Sequence, residues 1–285
     1  MSIALSAKQI CFLGAGSIAE AMVRGLLQGG KTAPERITLI NRGTDRLTLL
    51  QERYGVAAAL TDEQKRQALG ASDVIVLAVK PKDAAAALAA YKGLWSARHL
   101  LISVVAGLAI PVIEQLTLTG AQIVRAMPNT SSTIGLGATG VAFSPAVSEA
   151  NKEIALALFE SVGVSAVVEE PLLDIVTGVS GSGPAYVYLL MEAMIRAGVE
   201  AGLAAETARG LTIQTVLGAA KMVASTGEQP AALRAKVTSP GGTTQAALEV
   251  MNRHEMPETI VKAIHRAAER AQELGDEIKK HALQS

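Results

Sequence analysis

Short, mostly apolar runs alternate with stretches of helical periodicity through the first 168 residues. Ile10–Leu13, Ile37–Ile40 and residues 74–79, 100–105 and 123–127 have the length and β-propensity of strands buried on both faces. Between them, apolar positions recur every three or four residues, through Met22, Val23, Leu26 and Leu27 and again over 44–54. A further helix is expected from a Thr61-Asp62-Glu63 cap to Leu69. A strand at 141–143, a helix over 152–162 and a strand at 164–168 would complete the sheet. Such alternation predicts an α/β, doubly wound, mostly parallel sheet.

The pattern changes after Glu169-Glu170-Pro171. No strand signal follows, and the remainder reads as helices over 172–179, 184–201, 205–225, 231–237, 243–252 and 257–281. We therefore expect a sheet domain over 1–168 and an all-α domain over 169–285. Ser182 is the expected N-cap of the 184–201 helix, with Pro184 in its first turn. These helices are apolar on nearly all sides, so something must cover them. A domain this small cannot hide them all, and an interwound helical dimer is the natural answer. Ala-rich packing inside one chain is the competing view.

Composition narrows the classes. The 285 residues are 49% hydrophobic and 18% charged, with 26 basic and 26 acidic residues, which offers nothing for nucleic acid or an anionic membrane. An aromatic content of 3% also argues against a base-stacking platform. One cysteine, Cys11, cannot pair internally and fits a reducing cytoplasm. The first nine residues lack a leader's apolar core, and the longest uncharged runs are broken by glycine and proline, so neither leader nor membrane span is expected.

Gly14-Ala15-Gly16-Ser17-Ile18-Ala19 joins the first strand to a helix, which is the setting of the GxGxxG/A dinucleotide fingerprint of a Rossmann-type domain. Gly14 would make the turn, Gly16 would let a pyrophosphate approach the backbone, and Ala19 would allow close helix packing. The second strand ends Ile40-Asn41-Arg42, with Arg46 a turn later and no carboxylate to repel a 2′-phosphate. NADPH is the expected cofactor, with NADH as the alternative donor; the competing view has both arginines merely solvating a loop. The carboxyl ends of the later strands, Ala78–Pro81, Val105–Gly107 and Met127–Asn129, should line the same crevice. Lys80 there is either a charge partner or a solvated loop lysine.

Ser239-Pro240-Gly241-Gly242-Thr243-Thr244 precedes a helical pattern. Free N–H groups at a helix start bind a small anion such as a carboxylate, and the two threonines add hydroxyls; a plain capped hinge is the alternative. Four histidines, His99, His254, His265 and His281, read as surface or incidental, and no metal-ligand spacing occurs, so no metal is expected. Without a strong base, alcohol oxidation is hard, whereas an imine accepts hydride once protonated on nitrogen. Lys221 or Lys236 would be the only substitute base for a hydroxy acid.

These residues resemble one family, pyrroline-5-carboxylate reductase, over nearly the whole chain. The match is most specific at Asp174-x-x-Thr177-Gly178-x-Ser180-Gly181-Ser182-Gly183-Pro184-Ala185-Tyr186, at Gly218–Met222 and at Val237-x-Ser239-Pro240-Gly241-Gly242-Thr243-Thr244. Gly14-Ala15-Gly16, Ala78-Val79-Lys80-Pro81 and Arg125-x-Met127-x-Asn129-Thr130 match as well. The resemblance implies NAD(P)H-dependent reduction of 1-pyrroline-5-carboxylate to L-proline, and a Rossmann domain followed by an all-α dimerisation domain. It also implies a homodimer, often five to a decamer. By position, Leu13, Gly14, Ala15, Gly16, Ser17, Ile18, Asn41, Ala78, Val79, Lys80, Pro81, Val105 and Ala106 would hold the cofactor, and the strand ends read above add Arg42 and Asn129. Glu170, Ser239, Gly241, Gly242, Thr243 and Thr244 would lie at the substrate, with Thr244 bonding its nitrogen as the catalytic residue. Asp62 and Lys236 stand where some members place cofactor-contacting asparagines. A reductase of another cyclic imino acid or of a 3-hydroxy acid, and a non-catalytic nicotinamide sensor, are the alternatives.

Overall fold

The computed structural model describes residues 3–284. Its first strand, β1 (Ile10–Leu13), follows a short helix α1 (Ile3–Ser6) and leads into α2 (Ser17–Gln28). Then come β2 (Ile37–Ile40), α3 (Thr44–Tyr54), β3 (Ala57–Ala59), α4 (Asp62–Ala71), β4 (Val74–Leu77), α5 (Ala84–Ala89), β5 (Leu100–Ser103) and α6 (Ile110–Leu116). The sheet is completed by β6 (Gln122–Met127), β7 (Gly137–Phe143), α7 (Glu149–Glu160) and β8 (Gly163–Val167).

Eight strands form one sheet in the order β3-β2-β1-β4-β5-β6-β7-β8. All neighbours are parallel except β6 and β7, so the last two strands run against the rest. Successive side chains of a strand point to opposite faces, and each face has its own core. Ile10, Phe12, Leu39, Val76 and Ile102 pack with Met22, Leu26, Leu50 and Phe159 on one side. Cys11, Leu13, Ile75, Leu77 and Leu101 pack with Leu69, Leu88, Trp95 and Ile113 on the other. The architecture is therefore an α/β Rossmann-type doubly wound sheet.

Local signals explain the element starts. Thr61 and Gln64 close a reciprocal cap on α4, each side chain accepting the other's backbone N–H at 3.2 and 3.0 Å. Ser148 caps α7 by accepting from the Asn151 N–H at 3.3 Å. β7 begins at Gly137, ahead of the apolar run at 141–143, because its first residues, Gly-Ala-Thr-Gly, carry little strand propensity of their own and are held by pairing to β8.

Beyond the sheet, α8 (Leu173–Val176) passes into a wide π turn over Thr177–Gly181. The Ser182 N–H donates to Thr177 O at 2.8 Å, and Ser182 itself has helical angles, so it does not serve as the expected N-cap. A cap needs an extended residue, and here the chain arrives already helical. α9 (Gly183–Glu200), α10 (Ala205–Thr226), α11 (Pro230–Lys236), α12 (Thr243–Arg253) and α13 (Met256–Gln284) follow without any strand.

Two compact units result, one taking in the chain up to Ser182 and again from Arg266, the other Gly183–His265. In the second unit α9 has no buried residue and α10 has only Ala208 and Thr212. Tyr188, Leu189, Leu211 and Leu217 are each more than half exposed. In the first unit, the end of α13 seats on the turn after β5: a Cβ on Gly275 would lie 2.9 Å from Gly107 O, and Gly107 has φ +76°. Ile278 packs one turn further on, against the second core face.

Candidate functional site

The loops after β1, β2 and β4 are tied together by backbone bonds. The Gly14 N–H donates to Ile40 O at 2.8 Å and the Ala78 N–H to Leu13 O at 2.9 Å. Gly14 has φ +111°, and a Cβ there would stand 2.4 Å from Ala78 O, so no other residue fits. Gly16 is different: it caps α2 in extended conformation without any side-chain bond, and a Cβ on it would meet nothing within 4 Å. The turn is tight at Gly14 and open at Gly16, and the first-turn N–H groups of α2 have no side-chain acceptor. That is the cradle a pyrophosphate requires.

Above this turn lies a cavity of about 400 Å³. Leu13, Gly14, Ala15, Gly16, Asn41, Arg42, Ala78, Val79 and Lys80 line it, together with Lys65, Asp83 and Tyr91 and the small residues Ala86, Ala87 and Ala90. Asn41 accepts from the Ala15 N–H at 3.4 Å and donates to Gly43 O at 3.1 Å. The wall made by α5 and by Lys65 escaped sequence reasoning. Lys65 is paired with Asp62 at 3.0 Å. The run Ala84–Ala89 carries a strong helix propensity, but nothing in it marks which face meets the cavity.

Arg46 does not join Arg42 on the cavity wall. Its Nε donates to Ala15 O at 3.0 Å and its terminal nitrogen to Glu20. Glu20 also takes Arg53 at 2.7 Å and the Tyr54 hydroxyl at 3.0 Å. Partial burial pushes the Glu20 carboxyl up, but the bonds from Arg46, Tyr54 and Arg53 prevail and hold it below the ordinary carboxylate value.

Other expected residues lie outside that lining. Ser17 and Ile18 form the first turn of α2, Pro81 opens the turn before α5, and Asp62 is spent on Lys65. Val105 is buried with its N–H donating to Ser103 Oγ at 3.3 Å, and Ala106 is half-buried beside it. Asn129 is buried, accepting from the Ala138 N–H and donating to Ser180 O, both at 3.1 Å. Lys236, in the second unit, pairs with Glu228 at 2.5 Å.

Ser239, Gly241, Gly242, Thr243 and Thr244 come together at the start of α12. Gly241 has φ +69°, and Gly242 is the extended N-cap with no side chain capping the helix. The Gly242 N–H donates to Ser239 O at 3.0 Å. The Gly241 N–H donates to Gln245 Oε1 at 2.8 Å, and Gln245 is held in turn by Glu249 at 3.0 Å. Gln245, which sequence reasoning missed, thus fixes the glycine turn while the N–H groups of Thr243 and Thr244 point out of the helix unclaimed. This end can take a carboxylate, with the Thr244 hydroxyl as an adjacent donor or acceptor.

Glu170 belongs to the first unit. Its Oε1 accepts from the Ile110 N–H at 2.7 Å and from Arg125 at 3.2 Å, and the other arm of Arg125 reaches Asp174 at 3.3 Å. Arg125 is 8% exposed and sits mid-strand in β6, so this pair of ion bridges ties α6, β6 and α8 together. Arg125→Met, which keeps the bulk and removes the charge, should lower the unfolding free energy by about 2–3 kcal/mol in a urea titration, because two carboxylates lose their cation. A loss below about 0.5 kcal/mol would mean that solvent screens the cluster as it does a surface pair.

Remaining polar groups offer no competing chemistry. Burial pushes the Cys11 thiol up to about 12, so it is not a nucleophile. His99 is buried, and burial and then Arg98 lower its basicity. His281 lies outside the described side chains. Among the described residues, no three His, Cys, Asp or Glu side chains are grouped to hold a metal, and no helix is long and apolar enough to cross a membrane.

A sequence profile described as pyrroline-5-carboxylate reductase dimerisation matches residues 170–274, and one described as NADP oxidoreductase coenzyme F420-dependent matches residues 9–107. Pyrroline-5-carboxylate reductase 1 of Bacillus subtilis is 43% identical over 276 residues, covering 96% of this chain and 92% of its own. The solved pyrroline-5-carboxylate reductase of Coxiella burnetii is 39% identical with a TM-score of 0.88, covering 94% of this chain and 98% of its own. That of Plasmodium falciparum, solved with NADP bound, is 28% identical with a TM-score of 0.84, covering 95% and 99%.

Proposed function

The chain belongs to the pyrroline-5-carboxylate reductase family, and from that premise we propose that it reduces 1-pyrroline-5-carboxylate to L-proline with NAD(P)H, the last step of proline biosynthesis. The observation that carries the reading is the presence, in one chain, of a glycine cradle shaped for a dinucleotide and an uncapped helix start shaped for a small carboxylate.

When bound, the reduced nicotinamide supplies the hydride. Gly14, Gly16 and the start of α2 would hold the pyrophosphate, and Asn41 and Arg42, which line the same cavity, would flank the adenosine ribose. Arg42, with no carboxylate following β2, favours NADPH over NADH. Ser239 and the Gly241–Thr244 turn would surround the substrate carboxylate, gripped by the free backbone N–H groups of Thr243 and Thr244. The Thr244 hydroxyl orients the ring nitrogen, whose proton makes the C=N carbon electrophilic without a strong enzyme acid. No residue of this chain would need to form a covalent bond with the substrate for a bound donor to reduce it. Glu170 would help define the substrate's surroundings, while Ser17, Ile18, Pro81, Val105, Ala106, Asn129, Asp62 and Lys236 would support or contact the cofactor.

Functionally, residues 1–168 form the dinucleotide-binding part and 169–285 the substrate and dimerisation part. The exposed apolar faces of α9 and α10 support a homodimer, and we extend this to five dimers in a decamer. The single, unpaired and buried cysteine supports a cytoplasmic setting. The test is NADPH and NADH oxidation on a panel of five- and six-membered cyclic imino acids and a 3-hydroxy acid. Fastest turnover on the five-membered imine is expected. Preference for another panel member would move the substrate, and tight cofactor binding without turnover would leave a nicotinamide sensor.

A further inference from the structure

The mouth of the dinucleotide cavity carries a charge pair that spans it. Arg42, just past β2 on one wall, donates to the Asp83 carboxylate on the opposite wall at 2.8 Å. Asp83 ends the helical turn Pro81–Asp83 and has helical angles itself, so its side chain makes no capping bond to α5. Its carboxylate is directed across the opening instead. It is also the less exposed partner, 23% against 82% for Arg42. Lys65 and Lys80 are the other charged side chains of the lining, and Lys65 is already paired with Asp62. Asp83 is therefore the sole carboxylate on the cavity wall among the described residues.

A 2′-phosphate placed near Arg42 meets two obstacles. It must break the Arg42–Asp83 bridge, and it must then sit beside the released carboxylate, which repels it. An unphosphorylated ribose meets neither, since its hydroxyls can share both groups. We propose that Asp83 is a specificity-determining residue: by holding Arg42 across the cavity mouth, it reduces the advantage of 2′-phosphorylated over unphosphorylated nicotinamide dinucleotides. The chain then keeps a usable affinity for NADH in a site whose guanidinium alone would favour NADPH. Discrimination of this kind rests on a repulsive group as much as an attractive one. The inference depends on the cavity being the cofactor site.

The test is calorimetric titration of the full-length protein with NADPH, NADH, 2′,5′-ADP and 5′-ADP, for wild type, Asp83→Asn and Asp83→Ser. Either variant should tighten NADPH and 2′,5′-ADP about three- to tenfold, the range of one exposed ion pair plus a repulsion. NADH and 5′-ADP should change less than twofold. The gain should shrink in 0.5 M salt, where such charges are screened. An equal change for phosphorylated and unphosphorylated ligands, or no change in folded protein from both variants, overturns the role of Asp83. If wild type binds none of the four ligands, it is the cofactor reading itself that fails.

Discussion

Thr244→Ala is expected to lower kcat/KM for the cyclic imine about ten- to a hundredfold, the size of one lost hydrogen bond to a charged group. Thr244 lies in the first turn of α12, where no side chain caps the helix. Alanine has no hydroxyl but keeps the backbone N–H, so the proposed carboxylate grip survives and the loss should fall mainly in kcat. Thr243→Ala, one position earlier on the same turn, is the internal control and should change the same constants less. Equal effects at the two positions would assign the turn to binding alone and remove Thr244 from the chemical step.

Gly14→Val should remove cofactor binding, by at least a hundredfold in Kd, and destabilise the sheet unit by about 3 kcal/mol or more. Both effects have the same origin, a residue at φ +111° whose Cβ would press on the Ala78 carbonyl. Relief requires the β1 and β4 loops to separate, which breaks the bonds from Gly14 to Ile40 and from Ala78 to Leu13. Gly16→Ala provides the contrast, because space is open where its methyl would stand. That variant should melt within a few degrees of wild type and still bind NADPH more weakly. A Gly14→Val protein with unchanged melting would contradict the backbone geometry, and a Gly16→Ala protein with unchanged affinity would take the pyrophosphate away from this turn.

Much of the fold was legible because the signals were local. Four apolar residues in a row at Ile10–Leu13 and Val74–Leu77, and three of four at Ile37–Ile40, fit only where both faces are covered. The cap expected at Thr61-Asp62-Glu63 was likewise local, although its reciprocal partner is Gln64. What could not be read is direction and partnership. Apolar runs do not encode whether β7 lies parallel or antiparallel to β6, and β3 is three alanines with no strand signal at all. At the cavity the glycine turn was legible from spacing, whereas Asp83 and Tyr91 reach it only through the path of α5. Arg42 and Arg46 looked equivalent in sequence, yet Glu20, a residue of another helix, claims only Arg46. Ion-pair partners twenty or more residues away leave no local trace.

The seat of α13 bears on how this polypeptide can be handled. A glycine in mid-helix costs about 1 kcal/mol relative to alanine, and Gly275 sits where any larger residue would push the Gly107 carbonyl aside. Gly107 directly follows Val105-Ala106, and Ile278 fills the hydrophobic layer below. The final turns, although they fall past the stretch that the dimerisation profile matches, are thus joined to the sheet's own interior. A shortened version ending near residue 274 would open that layer to water, and any affinity handle or fluorescent fusion is better carried at the opposite terminus.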